Sequence, residues 1–251
     1  MTSLLTVLFG LLGLTIGSFL NVCIDRLPAK KSLAYPASHC DACRHPLSIR
    51  DNIPVVSYLW LRGKCRYCGA SIPVRVILVE FSTGVLFALL FWYYGLNWQF
   101  PLYAFYICLL LVIAVIDLDI QLILNTLVYP AAAIALTIDI FQPQIGLLNG
   151  LAGGAIGFVI LLIPALISRR GIGWGDVKLA GLIGLMTGFP RVFVAILAGI
   201  ILGGLVAVLL LIARKKSRKD VIPFGPFLAL GSLLALFRGH ELINWYLSLF
   251  K

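Results

Sequence analysis

Eight apolar runs, near Leu4–Val22, Val76–Tyr94, Pro101–Ile116, Leu127–Ile140, Ile145–Ile167, Val177–Phe189, Val192–Ala213 and Ile222–Phe237, constrain this chain more than any other feature. Each is long enough to approach or span about 30 Å of hydrocarbon. Inside a bilayer no water can bond a backbone N–H or C=O, so such runs are expected as helices. With 61% hydrophobic and only 12% charged residues, and a mean hydropathy of +1.03, a soluble 251-residue domain is excluded. The expected fold is an all-α integral membrane protein of about eight transmembrane helices.

The first run is expected to be a retained helix rather than a cleaved signal, because Met1-Thr2-Ser3 carries no basic residue and no small-residue cleavage site follows. Positive charge follows that run, at Arg26, Lys30 and Lys31, which places the N-terminus outside. Alternating helices then put three groups of Lys/Arg on one side: nine in residues 25–75, three in 168–178 (Arg169, Arg170, Lys178) and five in 214–220 (Arg214, Lys215, Lys216, Arg218, Lys219). Only Arg191, Arg238 and Lys251 fall opposite. The net charge of +10 is thereby explained by the cytoplasmic surface of a bilayer rich in anionic lipid. The expected partner is the lipid bilayer and not nucleic acid, since the chain has no stacking platform or recognition helix.

Glycines recur at helix-packing spacing in Gly13-x-x-x-Gly17, Gly153-x-x-x-Gly157, Gly184-x-x-x-Gly188 and Gly199-x-x-x-Gly203. Missing side chains let helix backbones approach where no hydrophobic effect drives association. No internal repeat stands out.

Residues 25–75 form the one substantial polar region and contain Cys40-x-x-Cys43 and Cys65-x-x-Cys68, separated by 21 residues. Two such knuckles supply the four thiolates of a tetrahedral zinc site, and a reducing cytoplasm argues against two disulfides. Cys40, Cys43, Cys65 and Cys68 are therefore expected to bind a structural zinc that staples a loop too small to form its own core. Four thiolates leave no open position for water, so this metal performs no hydrolysis. Cys23 and Cys108, in or beside apolar helices, are expected as small buried residues.

Asp117 and Asp176 each sit at the end of an apolar run, the second within Gly173-Trp174-Gly175-Asp176. A carboxylate beside a bilayer core is costly unless paired, solvated or protonated, and such residues mark functional sites. Two carboxylates facing one water share a proton, one serving as acid and the other as base, which is the chemistry of peptide hydrolysis without a covalent intermediate. Gly173 and Gly175 would let a substrate strand approach the main chain beside Asp176. Asp119, two residues after Asp117, points elsewhere on a helix and is expected as a cap or supporting group. Glu80 is expected to snorkel, to pair with Arg75 or to touch the site; Asp139 is expected to snorkel, and Asp25 to begin a loop. The same aspartates would also suit a proton-coupled transporter, although neither inverted repeats nor paired broken helices are evident. A presenilin-like protease shares Gly-x-Gly-Asp, but that family's Pro-Ala-Leu motif is missing. A scaffold of a secretion machine would have no use for the dyad.

The chain resembles the bacterial type IV prepilin peptidases, also called prepilin leader peptidases/N-methyltransferases. The resemblance rests on Gly17-Ser18-Phe19-Leu20-Asn21-Val22 with Arg26-Leu27-Pro28, the paired cysteine loop with Asn52-Ile53-Pro54, Ile116-Asp117-Leu118-Asp119, Gly173-Trp174-Gly175-Asp176-Val177-Lys178-Leu179 and Pro223-Phe224-Gly225-Pro226. It implies that Asp117 and Asp176 are catalytic and that the enzyme removes the basic leader of prepilin or pseudopilin precursors after a glycine at the cytoplasmic face. It also implies N-methylation of the new terminus from S-adenosylmethionine. Glu80 matches the family's glutamate associated with methyl transfer, and Asp119 and Lys178 are expected beside it as supporting or methyl-transfer residues. Two positions depart from the family: Leu124-Asn125 replaces its usual Pro-Asp, and Arg75-Val76-Ile77 replaces Arg-Tyr-Pro. The expected organisation is a first transmembrane helix over 1–24, a zinc-binding cytoplasmic loop over 25–75 and a membrane-embedded aspartyl peptidase core over 76–251.

Overall fold

A computed structural model describes residues 2–141, 146–167, 173–214 and 222–250. The loop cations Arg169, Arg170, Lys215, Lys216, Arg218 and Lys219 lie outside the described residues, as do Ile145 and Lys251. The described residues are all-helical: α1 Thr2–Arg26, a 3₁₀ turn at Ile49–Asn52, α2 Val56–Trp60, α3 Val74–Tyr94, α4 Gln99–Ile120, α5 Asn125–Phe141, α6 Leu147–Ile167, α7 Trp174–Thr187, α8 Arg191–Ile212 and α9 Gly225–Ser248. Each predicted apolar run overlaps one of these helices. Six of them, α1, α3, α4, α6, α8 and α9, are long and apolar enough to cross a membrane. At 1.5 Å per residue the 14-residue α7 is about 21 Å long, shorter than the hydrocarbon core.

The chain divides into two compact units, Met1–Val112 and Ile113–Lys251, with the division inside α4. In the first unit α1 lies against α3 at backbone contact. A Cβ on Gly13 would meet the Phe87 Cβ at 2.7 Å and the Gly84 Cα at 2.9 Å, and one on Gly17 would meet the Glu80 Cα at 2.7 Å. Phe9 stacks on Phe91, and Phe100 meets Phe9 and Phe87 edge-on, which closes the end of this pair.

In the second unit α7 is almost wholly buried, from Val177 through Thr187, while α8 leaves Leu197, Ile200, Ile201, Leu205 and Val208 exposed for lipid. Gly153 of α6 and Gly184 of α7 approach so closely that neither has room for a side chain, and Gly231 of α9 lies 2.7 Å, at its absent Cβ, from the Gly199 nitrogen of α8. Gly204, on the exposed side of α8, has nothing within 4 Å.

These contacts predict opposite outcomes for two glycines. Gly184→Leu should destabilise the second unit by at least about 1–3 kcal/mol, the usual cost of overpacking. Gly204→Ala should be neutral or slightly stabilising through helix propensity. Thermal unfolding in detergent checks both, and equal midpoints for the two variants would contradict the packing described.

Candidate active site and metal centre

Asp117 lies in the last turn of α4 and Asp176 in the first turn of α7, both within the second unit. Asp117 is 5% exposed, and its Oδ2 accepts the N–H of Gly225, first residue of α9, at 2.8 Å. A Cβ at Gly225 would stand 2.7 Å from that same oxygen, so the contact requires glycine. Asp176 is half-buried, and its Oδ2 accepts the N–H of Gly173, the residue before α7, at 3.2 Å. Each carboxylate is thus held by a glycine N–H where a helix begins, the positive end of its dipole. Both predicted acids therefore stand at helix ends of the same unit, each with a backbone donor.

The neighbours of the pair differ from expectation in detail. Gly175 packs on Ile123, whose Cβ would be 2.9 Å from a glycine Cβ, so its small size serves contact inside the protein. Lys178 Nζ donates to Asn125 Oδ1 at 3.1 Å and lies 5.6 Å from the centre of the Tyr129 ring. The Asn125 that stands in place of the family's aspartate therefore still offers Lys178 an acceptor. Asp119 is exposed. Glu80 belongs to the first unit, where it is buried and accepts the Val55 N–H at 2.7 Å instead of snorkelling or pairing with Arg75. Arg75 pairs with Asp25, which lies within α1 and does not start a loop. Asp139 does not snorkel either: it is 1% exposed, both oxygens lack a hydrogen-bond partner, and Gly150 packs against its carboxylate.

In the first unit the four knuckle cysteines converge. Their sulfurs all lie within 4.8 Å of one another, and Cys40 Sγ is 3.8 Å from Cys68 Sγ. A tetrahedral site with metal–sulfur bonds near 2.3 Å has an edge of about 3.8 Å, so the donor set fits one ion. The two knuckles share a backbone plan that the side chains conceal. Arg44 N–H bonds to the Cys40 carbonyl and Gly69 N–H to that of Cys65; Cys40 N–H bonds to His45 O and Cys65 N–H to Ala70 O. Arg44 and Gly69 both adopt positive φ, at 60° and 71°.

Without a cation the thiols of Cys40 and Cys68 are pushed in opposite directions. Backbone N–H groups of Cys43 and Ala42 lower the Cys40 thiol to about 7. Cys68, although the Ala70 backbone group lowers it, is pushed up to about 12 by removal from water and by the thiols of Cys43, Cys65 and Cys40. A divalent ion would allow all four to be thiolates.

Two family models match the chain, the bacterial peptidase A24 N-terminal domain over residues 11–94 and the type IV leader peptidase family over residues 104–208. Relatives named prepilin leader peptidase/N-methyltransferase align along nearly the whole length. The Stutzerimonas stutzeri protein is 34% identical, covering 94% of this chain and 92% of its own. That of Pseudomonas aeruginosa is 33% identical with 95% and 92% covered, and that of Bacillus subtilis 32% with 98% and 99%. The chain belongs to the type IV leader peptidase family. No solved structure matches it.

In this leader peptidase family member, two residues have evident roles that the sequence does not announce. Gly225 stands out there only as part of Pro223-Phe224-Gly225-Pro226, with nothing to say that its N–H meets Asp117. Asp51 lies between the knuckles and accepts from Ser48 Oγ and Arg66 Nε, each at 2.7 Å, and from Tyr67 Oη at 3.1 Å. These donors, the Ser48 hydroxyl foremost, hold its carboxyl at about 2 against an ordinary 3.8. The tie is therefore fully present above the ordinary carboxylate range and is lost as pH falls through about 2.

The sulfur geometry predicts one tightly held divalent ion per chain. Changing Cys40 and Cys43 together to Ser should release it and expose residues 30–75 to protease, both measurable by metal analysis and limited proteolysis. Wild-type protein purified without chelator and found free of metal would contradict the assignment.

Proposed function

We propose that this membrane protein is a two-activity enzyme: an aspartyl endopeptidase that removes the leader of type IV prepilins or pseudopilins after a glycine, and an N-methyltransferase acting on the new terminus. The observation that supports the reading is that Asp117 and Asp176 each accept a glycine N–H at the start of a helix of one unit, in a chain of this family. A pair of carboxylates within range of each other divides one proton between them, so one oxygen is available to take a proton from water while the other acid protonates the leaving amine. The bond cleaved is the amide after the leader's glycine; water adds one oxygen to the glycine carbonyl to make the new carboxylate, and the amine leaves with a proton. The transporter reading draws no support from a chain that matches a leader peptidase family.

We further assign structural zinc to the four-cysteine cluster and S-adenosylmethionine as the methyl donor. The Lys/Arg distribution favours a bacterial inner-membrane orientation with the N-terminus outside and the dyad near the cytoplasmic face, where both a basic leader and a soluble cofactor are reachable.

Asp117→Asn and Asp176→Asn keep the size of each side chain and remove its ability to exchange a proton. Each should lower cleavage of a prepilin in detergent by about 10²- to 10⁴-fold, the range general acid–base catalysis supplies. Asp176→Asn should still transfer labelled methyl groups to a pre-cleaved pilin peptide. Normal cleavage by Asp117→Asn together with loss in Asp119→Asn would move the first acid to Asp119.

A further inference from the structure

The four-cysteine loop carries an apolar face that its own fold does not use. Between the two knuckles, the 3₁₀ turn Ile49–Asn52 and α2 Val56–Trp60 leave Ile49, Ile53, Val56, Leu59 and Trp60 exposed, Ile49 at 89% and Trp60 at 81%. Val56, Leu59 and Trp60 stand at i, i+3 and i+4, on one face of α2. The other face turns inward: Tyr58 Oη donates to the Ile72 carbonyl at 3.5 Å and packs over Gly63, whose absent Cβ would lie 2.9 Å from that hydroxyl. Apolar side chains this large and this close together are rarely left to water.

The height of α2 along α3 indicates what covers them. The N–H of Val55, the residue before α2, donates to Glu80 Oε2 at 2.7 Å. Val55 sits at φ 64°, rare for a β-branched residue, so this contact and not local preference sets the path of the chain. Glu80 lies six residues past Val74, the start of α3, and therefore about 9 Å along the helix. The 21 residues of α3 make about 31 Å, close to the hydrocarbon thickness that this helix is long and apolar enough to cross. Leu78 and Phe81, which flank Glu80 in the chain, are themselves exposed. Interfacial helices bury an apolar face about 5–10 Å into the boundary of headgroups and acyl chains, the depth at which Glu80 holds the start of α2.

The charge around the face fits the same surface. Arg50, Arg62 and Lys64 flank it and are exposed. Asp51, the one carboxylate in residues 49–64, is turned away, with its side chain 3% exposed and bonded to Arg66. The outward charge of the segment is therefore cationic, complementary to anionic lipid headgroups.

We propose that residues 49–64 are an interfacial membrane anchor. Val56, Leu59 and Trp60 lie in the boundary between headgroups and acyl chains, where the amphipathic indole is most at home, and Arg50, Arg62 and Lys64 meet the phosphates of anionic phospholipids. The cysteine cluster gathers the loop from within, and lipid fixes its height against α3. The anchor does not depend on which reaction the second unit performs and requires only that α3 crosses a bilayer.

The test uses full-length wild-type protein in nanodiscs of phosphatidylethanolamine and phosphatidylglycerol, with a phospholipid that carries a diazirine near the glycerol end of one acyl chain. After irradiation and peptide mapping, adducts are expected within residues 53–60, alongside adducts on exposed residues of α8 that serve as the control. A labelled α8 with no adduct in residues 53–60 would overturn the proposal. Leu59→Gln combined with Trp60→Gln should lose most of the label in that segment with metal content unchanged, and label equal to wild type would overturn it too. Exchange of phosphatidylglycerol for phosphatidylcholine should lower the segment's label and leave that of α8; insensitivity to the exchange would overturn the assignment to anionic lipid. Benzoylphenylalanine in place of Trp60 distinguishes the occupants. Crosslinks to phospholipid are expected, whereas crosslinks to the second unit, to a second copy of the chain or to a pilin peptide in their place would contradict a lipid anchor.

Discussion

The arrangement of the second unit depends on placing two acids where helices begin and end. Asp117 and Asp176, costly beside a bilayer, each find a backbone donor at a helix start, Gly225 N–H for one and Gly173 N–H for the other. Those donors are free because the first N–H groups of a helix have no intrahelical partner. Helix ends thus supply the polarity that a hydrocarbon-facing bundle otherwise lacks, and the glycines let the carboxylates come within reach.

The rest of that unit holds these ends in register. Glycine contacts between α6 and α7 and between α8 and α9 bring backbones together without side chains between them. The short, buried α7 carries Asp176 at one end and is shorter, at 14 residues, than the 21- and 22-residue helices α6 and α8 beside it. The first unit solves a different problem. Its polar loop buries too little apolar surface to fold unaided, so two knuckles of matching backbone geometry gather four sulfurs, and Asp51 ties the turn between them to Arg66 and Tyr67 of the second.

Much of this is legible in the amino-acid sequence alone. Hydrophobic length locates the helices, because a bilayer allows few alternatives, and the spacing of the cysteines announces their cluster. The two acids stand out because carboxylates at the ends of apolar runs are costly. Partnerships made across the chain are not legible in the same way. Gly225 and Asp117 are 108 positions apart, and nothing local reveals that one bonds the other. Asp139 at the end of α5 is placed by sequence where it could snorkel, but Gly150 of α6 closes over it. Asp25 and Glu80 depart from their expected roles because α1 continues to Arg26, which carries Asp25 to Arg75 and leaves Glu80 to the Val55 N–H. The likeness of the two knuckles lies in hydrogen bonds and φ angles, to which the residues Arg44 and Gly69 give no common clue.

The central claim is that two carboxylates share one proton during hydrolysis. The most direct test is kcat/KM for cleavage of a prepilin across pH, with methylation suppressed by omitting the cofactor. A shared proton predicts a bell-shaped profile, falling on the acid side as the pair takes up a second proton and on the alkaline side as it loses the last one. A profile with a single limb, or a bell that persists unchanged in Asp117→Asn, would contradict it.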